Sequence, residues 1–160
     1  MSFLLIVALI ILGFFLYRVL ISGSGGGRSF IQFYKDHNEI RNEIQKRGGI
    51  HNVESTNIEQ LKEIGYEVRE YGENFVEMIK NDSNGESRVN IIHGRNGKSL
   101  KLSFCTQSGE EVINIKNKMR SSNGAIECIS RNINEYLDGH FDIDEIDKEK
   151  VRSHFKVINT

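Results

Sequence analysis

The chain has 160 residues, 27% of them Asp, Glu, Lys or Arg, and a formal net charge of −1. All 22 acidic residues and all but one of the 21 lysines and arginines lie beyond residue 21, so that part carries −2 with the signs interspersed. This balance argues against nucleic-acid binding, which shows itself as a basic stripe, and two cysteines, Cys105 and Cys128, are too few for a disulfide framework.

Residues 3–21, FLLIVALIILGFFLYRVLI, read as a single transmembrane helix. At 1.5 Å per residue, about 20 apolar residues cross a hydrocarbon core about 30 Å thick. A buried core helix would keep a polar stripe, and none precedes Tyr17. Arg18, near the end of the run, can snorkel to the headgroups beside Tyr17. A cleaved signal would show a positive n-region and a shorter apolar run, and this stretch has neither. Arg18, Arg28, Lys35 and Arg41 lie at or within about 20 residues of the end of the apolar run while no Lys or Arg precedes it, which places the rest of the chain in the cytoplasm and makes the protein a single-pass membrane protein contacting lipid through residues 3–21.

Residues 22–27, SGSGGG, have the freedom of a flexible linker, and residues 28–160 form the domain. The linker glycines do not make a dinucleotide fingerprint, since Arg28 stands where the third glycine belongs and no strand precedes it. Over residues 28–47, Phe30, Phe33, His37, Ile40 and Ile44 recur at spacings of three and four. That is one face of a helix packed on the domain, or the seam of a short self-associating coil, ended by Gly48-Gly49. A short second helix is expected over 56–65, opened by the capping box Thr56-x-x-Glu59, lined by Ile58, Leu61 and Ile64 and stopped at Gly65.

The hydrophobic period then changes to two. Residues 66–71, 75–80, 88–93, 99–105 and 111–116 are strand candidates separated by turn residues, which gives a five-stranded antiparallel meander. Leu100, Leu102 and Phe104 alternate with Lys101, Ser103 and Cys105, so one face is buried and the other wetter. Helices over 125–137, with Ile126, Ile129, Ile133 and Tyr136, and over 144–155, with Ile146, Val151 and Phe155, should cover the apolar face. The fold class is therefore α+β. Its order of helix, meander and helices is similar to that of small secretion-chaperone-like domains, a resemblance in element order that implies no activity.

Four stretches invite chemical readings. Gly97-Lys98-Ser99 ends a would-be Walker A, but Ile92 takes the first glycine position and a strand follows where a helix is required; Asn96-Gly97 fits a type I′ hairpin turn instead. Residues 134–145 match the second half of a calcium-binding EF-hand loop at Asp138, Gly139, Phe141, Asp142 and Glu145, while Asn134 and Tyr136 depart from its first half. The same letters also read as one helix stopped by Gly139 and another opened by Asp142 or Asp144. His93, Cys105, Cys128 and His140 have the atoms for zinc or for a cysteine–histidine nucleophile, without metal-ligand spacing. Asn81-Asp82-Ser83 is a formal glycosylation sequon. No metal, cofactor or catalytic residue is assigned. The expectation is a membrane-anchored accessory, adaptor or assembly protein that binds another protein; the alternatives are a membrane-anchored enzyme with a cleft lined by His93, Cys105 or His140, or a weak calcium-binding regulatory domain.

Overall fold

The computed structural model describes residues 30–120, 124–140 and 142–155. The expected anchor at 3–21 and linker at 22–27 lie outside them, and none of the described helices is long and apolar enough to cross a membrane. The elements are α1 (Phe30–Lys46), α2 (Gly49–Glu63), β1 (Glu67–Tyr71), β2 (Phe75–Asp82), β3 (Gly85–Gly94), β4 (Gly97–Thr106), β5 (Glu111–Lys118), α3 (Ala125–Gly139) and α4 (Glu145–His154). The chain divides into two units between Ile40 and Arg41, within α1. In the first, Gln32 Nε2 donates to Asp36 Oδ1 at 3.0 Å across one helical turn, and Ile31, Phe33 and Tyr34 are exposed.

The second unit is the α+β domain. Its five strands pair antiparallel in the order β1-β2-β3-β4-β5, as the alternating pattern implies. The register sets Val76, Ile91 and Leu100 in one row and Met78, Val89, Leu102 and Ile115 in the next. Val76, Met78, Val89, Ile91, Leu100, Leu102, Phe104 and Ile113 are all fully buried on this face, where α2, α3 and α4 meet the strands. Each such side chain contributes about 1.5–3 kcal/mol relative to exposure.

Along α1 the expected apolar face is only partly covered, with Ile44 buried but Phe33 65% exposed, and the other helices differ from their sequence expectations in three ways. First, α2 begins at Gly49 rather than Thr56, because Ile50, Glu54, Ile58 and Leu61 form one continuous buried stripe that outweighs the local capping signal. Its end is as expected: Gly65, at φ 93°, donates to the Lys62 carbonyl while Tyr66 N–H donates to that of Leu61, the paired bonds of a Schellman motif. Second, α3 runs on to Gly139 and buries Ala125, Cys128, Ile129, Asn132, Ile133 and Leu137, which moves Ile126 and Tyr136 to the margins of its buried face. Third, α4 is capped by Asp144, whose Oδ1 accepts from Asp147 N–H at 2.8 Å, and it buries Lys148, Val151 and His154 while Ile146 stays 69% exposed. Ile146 and Val151 are five residues apart, about 140° around a helix, so they cannot share a face.

The turn between β3 and β4 is also not the expected type I′. Arg95 and Asn96 have negative φ and Gly97 alone is left-handed, at φ 100°, whereas a type I′ turn needs positive φ at both central residues.

Candidate functional site

The residues singled out for cysteine–histidine chemistry are not brought together. Cys105 pairs across the sheet with Glu86 and His93 with Lys98, seven positions farther along β3, which is about 23 Å at the rise of a strand. Both thiols are free, and burial pushes each of them up, away from the reactive thiolate. Cys128 lies in the core and takes a 3.5 Å contact from Asn132 Nδ2. His140 stacks on Tyr136 with ring centroids 3.8 Å apart, its Nδ1 2.9 Å from the Tyr136 carbonyl.

His93 instead joins a buried carboxylate. Glu54, in the apolar stripe of α2, has no solvent-exposed side-chain surface; its Oε1 lies 2.5 Å from His93 Nε2 and 2.7 Å from Lys98 Nζ. Its Oε2 accepts from Asn57 Nδ2 at 2.6 Å, and Asn57 Oδ1 in turn accepts from Ala125 N–H at the start of α3. Burial works to raise the Glu54 pKa, but the bonds from His93, Lys98 and Asn57 outweigh it and hold the carboxyl below its ordinary value. An ionised carboxylate only accepts, so the His93 proton sits on Nε2. Lys98, the would-be Walker lysine, is thus committed to Glu54, and the cluster ties α2 to the β3–β4 hairpin and to α3.

A second cluster lies under α4. Tyr66 Oη and His154 Nε2 each lie 2.7 Å from Ser87 Oγ, and Asp82 Oδ2 is 2.8 Å from His154 Nδ1. With the proton on Nδ1 facing the carboxylate, Ser87 donates to Nε2 and accepts from Tyr66. The Asp82 contact is short but poorly aligned with the ring N–H, so it acts through charge more than as a linear hydrogen bond. Asp82 Oδ1 meanwhile accepts from Asn84 and Gly85 N–H in the β2–β3 turn. The order aspartate, histidine, serine is that of a hydrolase relay. Here, however, Ser87 and His154 are fully buried, and the His154 ring packs against Phe104 and Phe155. A substrate carbonyl cannot reach Ser87 Oγ, and the cluster serves to satisfy buried polar atoms while fastening α4 to the sheet.

No motif announces either cluster, although each leaves a trace in the sequence. Glu54 stands four residues from both Ile50 and Ile58, and Ser87 precedes Val89 and Ile91 in a strict alternation. A polar residue at a core position is the signal.

The opposite face of the sheet is lined by half-buried and exposed side chains. One row across it runs Glu70, Glu77, Asn90, Lys101 and Lys116, from acidic at the β1 side to basic at the β5 side. Asn90 Nδ2 donates to Glu77 Oε1 at 3.3 Å, and Arg69 Nε lies 3.6 Å from Glu77 Oε2. Lys101 and Lys116 are exposed and stand directly opposite each other.

In the stretch matched to a calcium loop, residues up to Gly139 belong to α3, so half of that loop is helical and cannot wrap an ion; Phe141 lies outside the described residues. Among the described residues no group of three or more His, Cys, Asp or Glu side chains could hold a metal ion. No protein-family model, curated protein or solved structure matches the chain significantly, so the likeness in element order to secretion chaperones gains no support from them.

Proposed function

We propose that this is a single-pass membrane-anchored accessory or adaptor protein that binds another protein through the open face of its sheet, on the cytoplasmic side. The observation that carries the reading is the charge order along one row of that face. Like charges directly opposite each other on neighbouring strands, Glu70 with Glu77 and Lys101 with Lys116, cost stability. A surface shaped by folding alone would alternate the signs; one that separates them is suited to a partner of complementary field, which gains in encounter rate and register. The apolar run at residues 3–21 and the Lys/Arg bias after it support the anchor and its orientation.

The test uses the full chain in cell membranes. A photo-crosslinking residue in place of Lys101 should give a discrete protein adduct that Lys116→Glu abolishes without changing the thermal midpoint, and the same probe at Asp138 on α3 should give none. Identical adducts from both positions, or none from Lys101, would sink the reading. A reporter fused at Thr160 should be active in the cytoplasm; activity on the other side reverses the orientation.

A further inference from the structure

We infer that the first turns of α1 lie in the headgroup layer of the bilayer, with Ile31, Phe33 and Tyr34 inserted among the lipids. The inference rests on the reading of residues 3–21 as an anchor. Three large apolar side chains in four residues are 58%, 65% and 59% exposed, more than any other run in the described chain. At 100° per residue they span an arc of about 160°. That is too broad for the narrow a/d seam of a helix pair, and it suits a surface that surrounds the helix on more than one side.

What precedes α1 supplies the proximity. Nine residues lie between Ile21 and Ile31, seven of them glycine or serine, a composition whose root-mean-square span over that length is about 17 Å. A helix tethered so closely meets the lipid surface at high effective concentration. Residues 31–40 hold Lys35 against Asp36 and Glu39, a formal charge of −1, so attraction to anionic lipid is not the driving force. The chemistry is that of aromatic and aliphatic side chains at the interface of a neutral, phosphatidylcholine-like membrane.

The chain contains no tryptophan, so a single introduced one reports alone. The full chain is reconstituted into phosphatidylcholine vesicles as four variants, Phe14→Trp, Phe33→Trp, Tyr34→Trp and Lys101→Trp, with lipids brominated at the acyl carbons nearest the glycerol and, for position 14, which lies close to the bilayer midplane, with lipids brominated near the chain ends. Emission at positions 33 and 34 should be blue-shifted and quenched about twofold or more, unchanged by added salt, while position 101 is not quenched. Quenching at position 14 without quenching at 33 and 34 leaves the anchor standing and overturns the inference. No quenching at position 14 overturns the anchor reading and this inference with it. A blue shift at 33 without quenching, growing with protein density in the vesicle, would assign the surface to a second copy of the chain and likewise overturn the inference.

Discussion

Lys80 Nζ donates a 2.8 Å hydrogen bond to the carbonyl oxygen of His154, so β2 holds the last turn of α4 by its backbone while Ser87 on β3 holds it by its imidazole. Two strands thereby fix the position and the rotation of one short helix. Burial pushes the Lys80 ammonium below its ordinary pKa, and Asp82 partly offsets that.

The His154 site should make stability depend on pH above the range where carboxylates titrate. Burial lowers its pKa from 6.5; Asp82 opposes the shift and Lys80 adds to it. The unfolded chain therefore binds a proton that the folded chain resists, and stability falls as the pH drops below about 6.5. Unfolding free energies from urea titrations between pH 7.5 and 5 should decline, by at most about 1.4 kcal/mol per pH unit for one proton. His154→Phe should flatten that decline. An equal slope in both proteins would show that another group is responsible.

Glu54 should matter at lower pH. Its carboxyl is held below the ordinary value, so its contribution is present above about pH 4.5 and is lost as the pH falls through the folded-state pKa. Glu54→Gln keeps the shape but removes the charge from bonds to His93 and Lys98, and it should cost about 1.5–3 kcal/mol at pH 7. The gap between the two proteins should close towards pH 3. A constant gap would mean that shape, not charge, sets the cost.

The two faces of β4 should respond differently. Leu102 is fully buried and Lys101 exposed, so Leu102→Ala should cost about 2–5 kcal/mol and Lys101→Ala no more than about 0.5 kcal/mol in chemical denaturation. Equal losses would show that the outer face of the sheet is covered as well.

Two glycines in the hairpin turns should separate strain from crowding. At Gly97 a Cβ meets nothing within 4 Å, so Gly97→Ala carries only the left-handed backbone penalty, about 1–2 kcal/mol. At Gly85 a Cβ would stand 2.1 Å from the Cys105 carbonyl oxygen, which is backbone and cannot swing aside. Gly85→Ala should therefore lower the thermal midpoint clearly more than Gly97→Ala; the reverse order would show that the β3–β4 ladder yields at its end.

The sheet was legible in sequence because each of its signals is local. Alternation in Leu100, Leu102 and Phe104 fixes a face, and turn residues fix the hairpins that make neighbours of successive strands. What stayed hidden depends on partners distant in the chain. Thr56 looks like a helix start until Ile50 and Glu54 are seen to need the preceding turn for packing. Glu54 and His93 are 39 residues apart, and Ser87 and His154 are 67 apart. No periodicity announces such pairs; only a polar residue at an apolar position hints at them. The open face was foreseen as the wetter one, but its charge order needed the observed register, since a slip of one residue would put every lysine on the other side.

The neighbour-to-neighbour order of the five strands also governs how the chain acquires its shape. Each hairpin closes a short loop, so the sheet has low contact order and can zip up early, in step with synthesis. Helix α4 arrives after the last strand, and only then are Phe104, Ser87 and Tyr66 covered by His154 and Phe155. In the interval a nascent sheet presents bare aromatic and polar core to the cell. Docking of α4 is the step that closes the core over these residues.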